Sequence, residues 1–214
     1  MFTRPTKPGL PAGVGEIFVP LRREIGNLHG YWHVFQALFQ QPETTEAIKI
    51  TPGTFGLIRL VFRHEIIMGF SRISDPKTTG KGKNAKENLT LKQLLHVVTE
   101  NCKDHEVLCQ LTEIEKKIAE ECAPFREIRN RSIGHLDLKT FLDTHPDPLP
   151  DIDGALVQRC LDLLAHFMNS ILDHFTSTHF DFVLHISPPA RNIVYGLKEF
   201  QRWLPIISDI ERKR

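Results

Sequence analysis

The chain has 214 residues, 41% of them hydrophobic and 25% charged, with 27 Lys and Arg against 26 Asp and Glu. That length suits one large domain or one domain with an appendage, and the composition excludes a chain disordered throughout. A net charge of +1 argues against coating nucleic acid through a global field and leaves room only for a local basic patch. The richest apolar stretch, Phe55 to Ile73, is interrupted by Arg59, Arg63, His64 and Glu65, so no membrane span is expected. Residues 1–15 lack the apolar core of a signal peptide, and Cys102, Cys109, Cys122 and Cys160 form no C-x-x-C pair. Both point to a cytoplasmic protein with reduced, mostly buried thiols.

Residues 1–14 read as a flexible N-terminal tail. Ile17, Leu21, Ile25, Leu28, Trp32, Phe35 and Phe39 then step by three and four, one stripe on a long helix that ends before Pro42. Thr51 and Pro52 supply an N-cap and a first-turn proline. Phe55, Ile58, Phe62, Ile66, Phe70 and Ile73 mark a second helix. Its additional apolar residues, Leu57, Leu60, Val61 and Ile67, predict the most buried element of the chain. Residues 74–89 are a loop by composition, and between Arg72 and Lys92 six basic residues face two acidic ones. That loop is either a solvated segment or a phosphate contact, but Gly80-Lys81-Gly82-Lys83 is not a nucleoside-triphosphate loop.

Thr90 with Gln93 fits a capping box for a helix from Leu91 to about Cys102, and Asp104 can cap the next. There Leu111, Ile114, Ile118, Cys122 and Phe125 recur at helical spacing, and the stripe runs on into Arg129. Pro124 predicts a kink or restart near Ala123, and Gly134 a stop. After a proline-rich connection, a last long helix carries Leu156, Cys160, Leu164, Phe167, Ile171 and Phe175. In the tail, Phe182, Val183, Leu184 and Ile186 suggest a short extended stretch. Pro189, Ile193, Leu197, Phe200 and Leu204 suggest another amphipathic helix. The expected fold is all-α, an antiparallel bundle of four to five long helices over residues 15–180, with a C-terminal helical extension at 181–214 packing on the bundle or a dimer.

Few patterns carry chemistry. His29 and His33 share a helix face without a third ligand, and Asp162, His166, Asp173 and His174 spread around theirs, so no metal site is expected. No G-x-S-x-G, H-E-x-x-H or dinucleotide fingerprint is present. What remains is the segment Phe125-Arg-Glu-Ile-Arg-Asn-Arg-Ser-Ile-Gly-His-Leu-Asp-Leu138. Arg129 continues an apolar stripe, so its guanidinium points toward the packed side. There it needs a carboxylate, with Asp75 and Asp137 as candidates, or an oxyanion brought by a ligand. In an unbroken α-helix six residues turn through roughly 240° and rise about 9 Å, so Arg129 and His135 would not share a face. A break at Gly134 lets His135 fold back.

This segment resembles the HEPN superfamily, whose mark is an arginine, four to six residues, then a histidine. Here it reads Arg129-Asn-Arg-Ser-Ile-Gly-His135, with the polar residue the family favours directly after the arginine. The order Ser71-Arg-Ile-Ser-Asp-Pro76, a loop, Glu87-Asn-Leu-Thr-Leu91 and the long helix bearing the motif is similar to the abortive-infection, AbiU-like branch, over roughly residues 15–180. Arg23–His29, Arg59–His64 and Arg159–His166 have a comparable spacing but lack the asparagine, the glycine stop and the upstream context. The resemblance implies a metal-independent endoribonuclease of a toxin or antiviral-defence system, without a cofactor. It would work as a homodimer whose cleft holds RNA, and an antitoxin or defence protein would be its partner. Arg129 and His135 would be catalytic, Asn130 supporting, and Arg126 and Arg131 would contact RNA phosphates. The alternatives are a non-catalytic RNA- or nucleotide-binding or dimerisation module of the same fold, and a purely structural bundle with Arg129 on a carboxylate. Asp137 stands where nucleotidyltransferase-paired relatives carry a modifiable tyrosine, so regulation of that form is not expected.

Overall fold

The structure is a computed structural model that describes residues 9–49, 51–80, 82–182 and isolated positions between 192 and 205. The described residues form an all-α helical bundle. Its helices are α1 (Ala12–Phe39), α2 (Pro42–Ile48), α3 (Pro52–Ile73), α4 (Leu91–Asn101), α5 (His105–Glu121), α6 (Ala123–Ile128), α7 (Leu138–Phe141) and α8 (Gly154–Thr176). A two-residue antiparallel hairpin, β1 (Thr78–Thr79) with β2 (Lys86–Glu87), interrupts the loop after α3. Among the described residues no helix is long and apolar enough to cross a membrane. The chain divides into two compact units, one built on residues 9–28 and 67–182, the other on residues 29–66.

The first unit holds the larger core. Val14, Phe18, Leu21 and Ile25 of α1 and Phe70 of α3 are buried, with Leu94 and Val98 of α4 and Leu111, Ile114 and Ile118 of α5. Helix α8 is the most buried element, with ten residues from Leu156 to Leu172 out of solvent. Helices α5 and α8 run antiparallel. Cys122 and Cys160 lie 3.9 Å apart near one end, and Cys102 Sγ lies 3.3 Å from His174 Nε2 near the other. All four cysteines are free, and Cys102, Cys122 and Cys160 are buried while Cys109 is exposed. The neighbouring Cys122 thiol and burial push the Cys160 thiol up, so Cys160 stays protonated at neutral pH. Gly69 matters for packing, because a Cβ there would sit 2.4 Å from Leu28 Cδ2; its bareness lets α1 and α3 approach.

The helix ends follow the expected chemistry. Thr90 Oγ1 accepts from Gln93 N at 3.2 Å, and Asp104 Oδ1 from Glu106 N at 3.0 Å. Pro124 stands in the first turn of α6, where its missing N–H costs nothing, and divides α5 from α6. The second unit is an aromatic ladder in which Trp32 stacks on Phe35 at 5.6 Å and Tyr31 meets Phe62 edge-on at 6.2 Å.

Several expectations are corrected. Helix α3 is not the most buried element: Leu57, Leu60 and Val61 are 67%, 47% and 60% exposed. Apolar residues ring its N-terminal half, and a helix satisfies only the face that meets a neighbour. The α1 stripe buries Leu21, Ile25, Leu28, Trp32 and Phe35 as expected, but its ends are Val14, Phe18 and Leu38, while Ile17 and Phe39 are half-buried. Helix α1 begins at Ala12, within the segment expected to be a tail, and continues through Pro20. Helix α2 and the hairpin were not foreseen. The extended stretch and helix expected after Phe182 lie outside the described residues, save for isolated positions.

Gly69→Ala is expected to lower stability by about 1–3 kcal/mol, because Leu28 must leave its rotamer. Urea denaturation of both proteins measures this as a lower midpoint at unchanged slope.

Candidate active site

The site is assembled by an apolar contact. Phe70 near the end of α3 and Phe125 on α6 are fully buried, their ring centroids 4.6 Å apart. One helical turn beyond the rings, the two helix ends carry polar side chains to the same place. Ser74 Oγ donates to Phe70 O at 2.7 Å and accepts from Arg126 NH1 at 2.8 Å. Arg126 NH2 donates to Ala119 O at 2.7 Å, near the Pro124 break. Burial raises the carboxyl of Glu115, and Lys92 and Arg126 partly offset it.

Arg129 sits one turn after Phe125, and its side chain is 19% exposed. NH1 donates to Asp75 Oδ2 at 2.6 Å and Nε to Asn130 Oδ1 at 3.0 Å. The guanidinium is thus gripped on both flanks, and NH2 makes no bond with the described residues. Of the two carboxylates that the sequence offered, Asp75 takes the arginine. Asp137 instead caps α7, its Oδ1 accepting from both Thr140 N and Thr140 Oγ1 at 2.8 Å.

Between the arginine and the histidine the backbone leaves α geometry. Residues Arg129–Ile133 form a π turn, closed by Gly134 N donating to Arg129 O at 2.6 Å, five residues back. Such turns are rare and concentrate at functional sites. Gly134 stops the helix as expected, but with right-handed dihedrals, φ −77° and ψ −32°, not the left-handed cap that glycine usually provides. Its need is space: a Cβ there would lie 3.2 Å from Arg129 O. The wider turn places Gly134 above Arg129. His135 follows at once, exposed to solvent, and its ring makes no hydrogen bond or ion pair with the described residues.

Arg131, like Arg126, is engaged within the chain. Its side chain is 13% exposed and bonds to Glu127, Thr140 and the carbonyl of Asp147. An RNA phosphate would have to displace these partners from either arginine. Asn130 is exposed and supports Arg129 directly. Beyond Asp75 the exposed hairpin bears Lys77, Lys83 and Lys86, its base tied by Asn88 Nδ2 to Pro76 O at 2.9 Å and to Thr79 Oγ1 at 2.6 Å. The π turn and the Ser74–Arg126 bond are the features that sequence reasoning missed. Only the glycine five residues after Arg129 hinted at the first, and the serine one turn after Phe70 at the second.

A family model described as HEPN_AbiU2: AbiU2 matches residues 12–193, extending a little beyond the expected 15–180 on both sides. No curated protein and no solved structure matches the chain.

The two Thr140 hydrogen bonds hold the Asp137 carboxyl below its ordinary value of 3.8. A carboxyl lowered by folding adds stability that is complete above its unfolded pKa and is lost as pH falls through the folded one. The Thr140 amide is therefore expected to stay protected from exchange at about pH 5 and to lose protection only on acidification below the usual Asp range. Asp137→Ala is expected to abolish that protection at both pH values, read by amide exchange in NMR.

Proposed function

The chain belongs to the AbiU2 family of HEPN proteins, and from that premise we propose that it is a metal-independent endoribonuclease of an abortive-infection or toxin system, acting in the cytoplasm. The observation that carries this reading is the half-buried Arg129, fixed at Nε and NH1 with NH2 unengaged among the described residues, followed across a π turn by the exposed imidazole of His135.

The chemistry follows from those two groups. A ribose 2′-oxygen attacks the adjacent phosphorus, the bond to the 5′-oxygen breaks, and a 2′,3′-cyclic phosphate forms. Negative charge builds on the non-bridging oxygens, where a pre-oriented guanidinium strengthens its hold as the charge grows. One imidazole accepts the 2′-hydroxyl proton and another delivers a proton to the leaving 5′-oxygen, both near neutral pH. Two copies of the chain meeting in a cleft supply both. Asn130 keeps the arginine in plane. RNA is the substrate, and an antitoxin or defence protein restrains the enzyme.

One observation favours a second reading, a non-catalytic RNA-binding module of the same fold: Asp75 already gives Arg129 an anionic partner. That module would bind RNA with a steep salt dependence and leave it intact.

Purified protein is expected to cut single-stranded or transfer RNA in EDTA, leaving cyclic phosphate ends. Arg129→Ala and His135→Ala each abolish cutting, with unchanged circular dichroism. Cutting that persists in both variants rejects the assignment, and salt-dependent binding without cleavage selects the second reading. Sedimentation is expected to give a dimer, and a strict monomer rejects the two-copy cleft.

A further inference from the structure

We propose that Arg131 is a positioning residue for His135, a role that rests on the ribonuclease reading: it fixes the backbone that aims the imidazole instead of touching RNA. The guanidinium reaches in three directions. NH1 donates to Glu127 Oε1 at 2.6 Å, one turn back on α6, and to Pro148 O at 3.4 Å. Nε donates to Thr140 Oγ1 at 3.1 Å on α7, and NH2 to Asp147 O at 2.7 Å in the connection before α8. Every nitrogen of the fork is used, and each bond except that to Glu127 falls on the segment downstream of His135.

Among the described residues, the hydrogen bonds that tie that segment to the helix before it run through Arg131. Leu136, Leu138, Phe141 and Leu142 are 58–74% exposed, so no apolar burial anchors it to the bundle. Its attachment is polar and converges on Arg131. The guanidinium holds Thr140, Thr140 is held by Asp137, and Asp137 N donates to Arg131 O at 3.1 Å. On the upstream side Gly134 N is fixed on Arg129 O at 2.6 Å. His135 and Leu136 alone span the gap between these two backbone anchors. Since the His135 ring has no partner among the described residues, its direction is whatever that short link imposes. Losing the guanidinium's bonds to Thr140 and Asp147 leaves the backbone bond from Asp137 N to Arg131 O without its side-chain brace and loosens the link, and a displacement of about 1 Å at a proton-transfer group costs on the order of 100-fold in rate. Lysine cannot replace the arginine, because one ammonium cannot reach partners on three sides.

The test compares Arg131→Lys and the milder Thr140→Val with the unaltered full chain, by RNA cleavage kinetics at several salt concentrations and by NMR of the His135 ring. Arg131→Lys is expected to lower kcat by about 10- to 100-fold with KM within about twofold and an unchanged salt slope. The His135 ring resonances should move, and amide exchange from Gly134 to Thr140 should quicken. Thr140→Val is expected to show the same split at smaller amplitude, and it answers the question if the lysine variant does not fold. A raised KM with a salt slope reduced by about one and intact kcat makes Arg131 a phosphate contact and overturns the proposal. Unmoved His135 resonances in a folded variant overturn it as well. Should the unaltered chain cut no RNA, the ribonuclease reading fails on its own, while the ring resonances and amide exchange still decide whether Arg131 positions His135.

Discussion

Two phenylalanine rings packed 4.6 Å apart decide where the polar groups of this chain meet. Burying a phenylalanine is worth about 1.5–3 kcal/mol, whereas a partly exposed ion pair contributes little net stability. The Phe70–Phe125 contact therefore sets the spacing of the α3 end and α6, and the Arg129–Asp75 and Arg126–Ser74 bonds form because the rings have brought their backbones into reach. An ion pair placed this way is exchangeable. The core contact beneath it is apolar and does not run through the pair.

Three arginines within six residues illustrate how little residue type says about role. Arg126 joins two helix ends, Arg131 clasps the downstream segment, and Arg129 is held at two nitrogens, the third unengaged among the described residues. All three are cationic and all stand on the same short stretch of helix. Their neighbours separate them: a serine and a carbonyl around the first, a loop folding back over the last, and a carboxylate at a solvent-reaching edge for Arg129.

Local features were legible in the sequence. The caps at Thr90 and Asp104, the Pro124 restart and the stripes of α5 and α8 each depend on residues within a turn or two of one another, and the structure has them. Asp75 was readable as a partner for Arg129 because an arginine on an apolar stripe must find an anion. What failed depended on distance. The exposure of Leu57, Leu60 and Val61 depends on which neighbour α3 meets, and periodicity reports a face but not its partner. Arg131 was expected to contact RNA phosphates, and its partners within the chain were not legible because Thr140, Asp147 and Pro148 lie 9 to 17 positions downstream, along a path that only tertiary structure fixes. The π turn has no side-chain signature, so an α-helical projection of the motif does not reveal it.

The π turn also bears on length variation. A ring closed between residues five apart holds one residue more than an α turn, and the surplus is absorbed by the helix itself while the arginine keeps its place. A chain with one residue fewer between Arg129 and His135 would close the same rung with α geometry and still begin from the same guanidinium. A motif that tolerates unequal gaps between its two members then reads as a change in helical gauge, with the arginine as the fixed end and the histidine as the end that travels.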